Sequence, residues 1–318
     1  MKRRAFMGVM GAGALAACGV SIAQTPTTRI IVGATPGGGT DTVARVLAAE
    51  IGNRLGETFV VDNRPGAGGN IAAQEVARST NDGRTLLMCY TSHAINATLY
   101  PKLPFDSVKD FTPISHVANA PSFLLAHPSV PARDMTELIA LAKTRPGELS
   151  IALPGIGSAG HLCAEVIKLQ TGVDMLSVPY KGTAPAMNDL LGGQINLMFA
   201  GAALAKGQLA AKSVKALGVS SAQRMVGFES IPPIADTLPG YDFSAWYGLL
   251  GPAGMNATRT ERLSQVTAEI LGDPSIKERL LGEGLISVGG SPQDFQRFVE
   301  TEISNWGKIV QASGASAG

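Results

Sequence analysis

The feature that most constrains this chain is a repeated alternation of short β-branched runs with amphipathic stretches, joined by glycine-rich loops. Arg29 to Ala34 reads RIIVGA, and the stretch from Asp41 to Leu55 follows with Val43, Val46, Leu47 and Ile51 at helical spacing. The order then repeats as a strand over 59–62, a helix over 70–79 and a strand over 84–90. A β-α-β-α-β order predicts a parallel sheet with right-handed crossovers. A second run of the same kind opens at Asp134, with a helix to 143, a strand over 149–153 and a helix over 159–171. It continues as a strand over 174–178, a helix over 184–191, and strands over 194–199 and 215–220. Two α/β units are therefore expected.

The last part of the chain reads differently. Trp246 to Gly251 is apolar, and amphipathic helices are predicted over 259–271, 274–283 and 292–310, with 312–318 as a frayed end. A tail with no sheet of its own must pack on an existing unit. The economical path leaves the first unit near His127 and returns near Gly251, and two crossings make a hinge beside an interdomain cleft. The predicted domains are 24–126 together with 250–318, and 127–249.

The first residues read as an export signal. Lys2, Arg3 and Arg4 precede an apolar run, Val9 to Ala17, that is too short to span a bilayer. Arg3-Arg4-Ala5-Phe6-Met7 resembles the twin-arginine pattern. Two processing sites compete. Ser21-Ile22-Ala23 makes 1–23 a cleaved signal peptide. Leu15-Ala16-Ala17-Cys18 makes 1–17 a lipoprotein signal with Cys18 lipid-modified, which would tether the protein stably. A periplasmic location is expected on either reading. Losing Lys2, Arg3 and Arg4 leaves 23 of the 26 basic residues against 25 acidic ones. That balance, with no basic run interleaved with aromatics, argues against a nucleic-acid partner. An anionic ligand would need local dipoles, because the bulk field is too weak to hold it. Cys89 and Cys163 lie in apolar segments and read as buried free thiols.

Three loops could carry chemistry. Thr35-Pro36-Gly37-Gly38-Gly39-Thr40-Asp41 links the first strand to a helix, so its backbone N–H groups and the helix dipole can converge on an anion. It is equally a tight turn capped by Thr40 or Asp41. Bulk at Gly38 is expected to fill the anion space and strain the turn. Pro65 to Asn70 and Pro154 to His161 occupy the same place after other strands, where ligands of open α/β sheets lie. Thr91-Ser92-His93 and Tyr180-Lys181-Gly182-Thr183 also follow strand ends and could line a cleft.

Enzyme motifs fare poorly. The first loop lacks the Lys-Ser/Thr ending of a phosphate loop and is not G-x-G-x-x-G, although Asp62 sits where a ribose-binding acid would. An exported nicotinamide-dependent enzyme is the rival reading. Ser158 has Ile156 two residues before it, so the nucleophile-elbow pattern fails, and His161 starts the same helix. His93, His116, His127 and His161 show no metal-ligand spacing. No catalytic residue, cofactor or metal is expected, and the chain is read as a binding protein, not an enzyme.

These loops, in this order, resemble the tripartite tricarboxylate transporter substrate-binding family, also called the Bordetella uptake gene (Bug) receptors. The matching stretches are PGGGTDTVAR (36–45), NRPGAGGNIAA (63–73), HPSVPARDMTELIALAKTRPGEL (127–149), GSAGHLCAE (157–165), VPYKGTAPAMNDLLGGQINLMF (178–199) and WYGLLGPAG (246–254). They cover essentially the whole chain after the signal. The resemblance implies a type II periplasmic-binding-protein fold and extracytoplasmic capture of a small organic carboxylate. Delivery would be to tripartite tricarboxylate transporter membrane subunits, or the receptor would act in sensing with a signalling partner; a monomer is expected. By motif match, Gly38, Gly39, Thr40 and Asp41 would face the ligand from one wall. Ser158, Gly160, His161, Tyr180 and Gly182 would face it from the other, with Ser92 and His93 beside them. Two departures remove polar groups: Ala200-Gly201 follows Phe199 where an acid is common, and Ala159 stands where Thr is common. They argue against an amino-acid ligand.

Overall fold

A computed structural model describes residues 27–317 except Ile156, so both readings of the signal segment, Cys18 included, lie outside the described residues. The first part runs β1 (Thr27–Val32), α1 (Gly39–Leu55), β2 (Thr58–Asn63), α2 (Asn70–Ala77), β3 (Thr85–Tyr90), α3 (Ser92–Leu99) and β4 (Phe111–Ala120). The middle part runs β5 (Ser122–Ala126), α4 (Met135–Thr144), β6 (Ser150–Leu153), α5 (Ala159–Thr171), β7 (Leu176–Pro179), α6 (Thr183–Leu191), β8 (Leu197–Gly201), α7 (Ala202–Ala210) and β9 (Lys215–Val219). The chain closes with β10 (Ala245–Pro252), α8 (Ala257–Gly272), α9 (Pro274–Gly282), β11 (Ile286–Ser287) and α10 (Pro292–Ser313).

Two mixed sheets result, ordered β11-β4-β10-β3-β1-β2 and β7-β6-β8-β5-β9. In the first, β1 pairs in parallel with both β2 and β3, and β10 runs antiparallel to β3 and β4. In the second, β6 pairs in parallel with β7 and β8, and β5 runs antiparallel to β8 and β9. Each sheet therefore repeats one pattern: the chain goes from a central strand to one neighbour, then crosses to the other side. The switch points lie at the carboxyl ends of β1 and β3, and of β6 and β8. Such points are where open α/β sheets bind ligands.

The periodicity that announced these elements is the periodicity of burial. On one face of the first sheet, Ile30, Val32, Leu86 and Met88 pack with Val43, Val46, Leu47 and Ile51 of α1 and with Leu263, Val266 and Ile270 of α8. Ile31, from the same strand, faces the opposite side and a second cluster, so β1 is buried on both faces and reads as a continuous apolar run. Each such side chain contributes about 1.5–3 kcal/mol when fully buried. The second cluster includes residues of both sheets together with Tyr241, Trp246, Phe295 and Trp306.

The crossings between sheets differ from expectation. Residues 122–126, expected in the first domain, form β5 of the second sheet, so the outward crossing falls at Pro121. The return falls just before Ala245, because β10 already pairs with β4 from Ala245 onward. Strand β4 was not legible in sequence because Pro113 and four polar residues, Thr112, Ser115, His116 and Asn119, interrupt it. Pro113 is accommodated beside a register shift between Leu249 and Leu250, where a missing ladder donor does little harm. The end expected to fray is docked instead, with α10 continuing to Ser313 and the Ala317 N–H donating to the Leu99 carbonyl at 3.4 Å.

Candidate functional site

Helix starts divide into two groups by position. Helices α4, α8, α9 and α10 do not follow the carboxyl ends of parallel strands. Their N-caps Asp134, Asn256, Asp273 and Ser291 each accept a backbone N–H through the side chain. Helices α1, α2, α3, α6 and α7 follow the carboxyl ends of β1, β2, β3, β7 and β8, and none has a side-chain cap. Four of these five have glycine at the N-cap: Gly38, Gly69, Gly182 and Gly201. Uncapped first-turn N–H groups need a partner from outside the helix, and together with the dipole they favour an anion. The exception is α5 after β6, where Ser158 accepts from His161 N–H at 3.2 Å.

The loop after β1 is held from within. Asp41 is buried at 3% exposure and accepts from the Gly37 N–H at 3.0 Å, from Arg45 Nε at 2.9 Å and from Asn63 Nδ2 at 3.0 Å. Asn63 Nδ2 also donates to the Ala34 carbonyl at 3.1 Å, so the loop is tied at both ends. The Arg45 guanidinium, ahead of the Gly37 and Asn63 donors, pulls the Asp41 carboxyl down to about 2. Asp41, expected to touch ligand, thus has its oxygens committed to the loop and acts by positioning it. Thr40 is likewise buried. Gly38 has extended backbone at φ −83, and a Cβ there would meet only the Thr35 carbonyl at 3.6 Å, so the strain expected at Gly38 is absent. Gly39 is the tight position, since its Cβ would lie 2.6 Å from the Tyr247 hydroxyl.

The opposing wall comes from the second sheet. His161 Nδ1 accepts the Gly157 N–H at 3.0 Å, which leaves Nε2 to carry the proton, and burial lowers the ring's pKa. Gly160 packs against Pro154 and Phe199, letting α5 start close to β8. Gly182 opens α6 at φ 115, a conformation that favours glycine. Gly157 reaches across to the first sheet's helices, with Ile95 and Leu99 of α3 against it.

Three expectations change. The Tyr180 hydroxyl donates to Asp189 Oδ2 at 2.7 Å within its own lobe, so its proton is already given to that carboxylate. The His93 ring is stacked with Phe105 and edge-on to Phe111, with Nε2 at 2.9 Å from the Ser107 carbonyl, which places it in the core. Ser92, beside it, is buried at the start of α3. Asp62, the ribose-acid candidate, is engaged by Arg29 and Arg64. Cys89 and Cys163 are buried free thiols. Sequence reasoning missed Tyr90 and Tyr247, which flank the end of β1; the strand pattern of WYGLLG drew attention to packing alone.

Residues 43–315 match the family described as the tripartite tricarboxylate transporter family receptor. The chain belongs to this family. Protein BugT of Bordetella pertussis is 34% identical over 316 residues, covering 98% of this chain and 97% of its own. Among solved structures, R. palustris Rpa4515 with adipate is 37% identical at TM-score 0.83, covering 92% of this chain and 99% of that one. MatC from Rhodopseudomonas palustris with bound malate is 31% identical at TM-score 0.77, covering 89% and 98%. This tripartite tricarboxylate transporter receptor is therefore a periplasmic solute-binding protein with the two-sheet α/β fold of its relatives. In the receptor, Ala200 and Gly201 end β8 and lead into the uncapped α7, and Ala159 opens α5, so both departures from the family pattern fall on the candidate site.

Proposed function

We propose that this receptor captures a small organic carboxylate in the crevice between two lobes, one on each sheet, and closes on it. The observation that carries this is the concentration of uncapped helix starts at the carboxyl ends of strands in both sheets. The N–H groups of Gly39 and Thr40 would hold one carboxylate from the first lobe, with Gly38 leaving space beside them. Ser158, Gly160, His161 and Gly182 would complete the shell from the second. Binding of adipate and of malate by relatives of this fold supports an acid as the class of ligand. The absence of an acidic side chain at Ala200 and Gly201 favours a ligand without an ammonium group.

On this reading no bond is made or broken. The ligand is passed to the membrane subunits of a tripartite transporter, and the receptor works as a monomer. It is exported by the twin-arginine route, and Cys18 is the point of attachment if the lipoprotein signal is the one used. The test is a thermal-shift and calorimetric screen of mono-, di- and tricarboxylates on purified protein. A cognate acid at 100 times its Kd should add about 2.7 kcal/mol. A protein stabilised by no acid, and turning over a nicotinamide substrate, would overturn the reading.

A further inference from the structure

Tyr90 and Tyr247 are direct cross-strand partners on antiparallel β3 and β10, so both phenols rise from the same face of the first sheet. Tyr90 reaches over the end of β1, where its hydroxyl donates to the Gly33 carbonyl at 3.4 Å. Tyr247 reaches to the start of α1. Its hydroxyl lies 2.6 Å from where a Cβ on Gly39 would stand, and Gly39 is an exposed residue at the crevice. The Tyr247 ring packs on the α1-side core, yet its hydroxyl has no hydrogen-bond partner among the described residues. Burial pushes the Tyr247 phenol up to about 12, so it keeps its proton throughout the physiological range.

We propose that Tyr247 is a specificity-determining residue of the carboxylate site, donating its phenolic O–H to a ligand oxygen held at the start of α1. Packing explains the ring but not the hydroxyl, since phenylalanine would fill the same core volume without a polar atom to satisfy. The hydroxyl stands beside the uncapped N–H groups of α1, so the two kinds of donor meet one group. A set made only of donors suits an acceptor-only group, which an ionised carboxylate is and an ammonium is not. The Gly39 side chain is absent where the phenol approaches, which ties the identity of Gly39 to the presence of Tyr247.

This inference rests on the carboxylate reading, and one experiment separates the two. Wild type and Tyr247→Phe are titrated calorimetrically with adipate, malate and a panel of related acids. Their melting temperatures without ligand are compared, and tyrosine ultraviolet difference spectra are recorded on ligand addition. Loss of one hydrogen bond to an ionised carboxylate should weaken binding of the best acid roughly ten-fold or more, with the unliganded melting temperature unchanged. The ligand-induced tyrosine signal should shrink as well. If wild type binds an acid and Tyr247→Phe binds it equally, the inference is overturned and the carboxylate reading stands. If affinity and unliganded stability fall together with the tyrosine signal intact, the role is structural and the inference is also overturned. If wild type binds no acid, the carboxylate reading fails and takes the inference with it.

Discussion

The Oε2 oxygen of Glu302 accepts the indole N–H of Trp246 at 2.8 Å, and the same oxygen accepts that of Trp306 at 2.8 Å. Trp246 lies near the start of β10, where the chain returns from the second sheet, and both indoles are buried. One carboxylate on α10 therefore fastens the return crossing to the C-terminal helix. Its burial raises the Glu302 pKa, and the two indole donors work against that shift.

Glu302→Ala should leave two buried N–H groups without an acceptor. The expected cost is about 2–6 kcal/mol, from a penalty of about 1–3 per stranded group. Urea unfolding measures it. The chain has 2 tryptophans in all, so intrinsic emission reports this junction directly. An unchanged midpoint together with unchanged emission would show that the clasp contributes nothing.

The imidazoles of His93 and His116 should make the fold acid-sensitive. Burial pulls each from an ordinary value of 6.5 to about 4, against the hydrogen bonds that His93 donates to the Ser107 carbonyl and His116 to the Asn119 side-chain oxygen. Both are depressed, so the stability they contribute is fully present above pH 6.5. As pH falls toward 4 the unfolded chain takes up protons that the fold refuses, and stability drops. The drop is on the order of 3 kcal/mol for His93. His93→Gln keeps a donor near Ser107 but cannot titrate, so its stability should vary less between these limits. Equal slopes for the variant and wild type in a series of unfolding curves would refute the assignment.

How much of this was legible in the sequence follows from physical range. The helices α1, α5 and α10 were read closely because each carries its own period and its own cap or breaker, such as Gly56 in the left-handed region at φ 65 after α1. Strand β5 was read into the wrong unit because pairing partners are chosen across the whole chain, and SFLLA says nothing about β8 or β9. The glycine loops were read at strand ends, and they do follow β1, β2 and β6. Which side chain points into the crevice was not legible. Tyr180 turns to Asp189, and His93 turns to Phe105, through contacts that no local pattern encodes.

The weight placed on Gly38 by sequence belongs to Gly39, and this can be tested with two small changes. A methyl at Gly38 has room, whereas one at Gly39 meets the Tyr247 hydroxyl at 2.6 Å. Gly39→Ala should lower ligand affinity more than Gly38→Ala, by calorimetry with the best-binding acid. The reverse order would place the tight point of the loop elsewhere.

Asp41 should affect binding without touching ligand. Asp41→Asn loses the charge that pairs with Arg45, and with one oxygen still serving Gly37 and Arg45 as Oδ2 does now, the new amide N–H2 would meet Asn63 Nδ2 donor to donor. A loss of about 1.5 kcal/mol in stability is expected, the low end for a hydrogen bond to a charged group because the Arg45 side chain is half exposed. Affinity should fall with it, because the loop loses its tie to Asn63. The native carboxyl has a depressed pKa of about 2 against an ordinary 3.8, so its contribution is present above 3.8 and is lost as pH falls through 2. Wild-type stability should show that acid limb and Asp41→Asn should lack it. Identical acid limbs would refute the brace.

The lobes touch at Gly157, and that contact tests closure. Gly157 has φ +73, and a methyl there would lie 2.2 Å from Leu99 Cδ2 at the end of α3. Gly157 belongs to the loop after β6 in the second sheet, while α3 follows β3 in the first, so an added side chain must strain the loop or push the lobes apart. On the proposed two-wall site, closing would exclude water, which strengthens each dipole that remains. Gly157→Ala should therefore weaken binding by far more than the roughly 1 kcal/mol that left-handed strain costs in stability. Leu99→Val in the same chain shortens the opposing side chain and should recover part of the affinity, which strain alone would not allow. Small-angle scattering on wild type with saturating acid should give a smaller radius than without it, and Gly157→Ala should show a smaller change. An unchanged radius in wild type, with Gly157→Ala binding as tightly, would rule out closure at this contact.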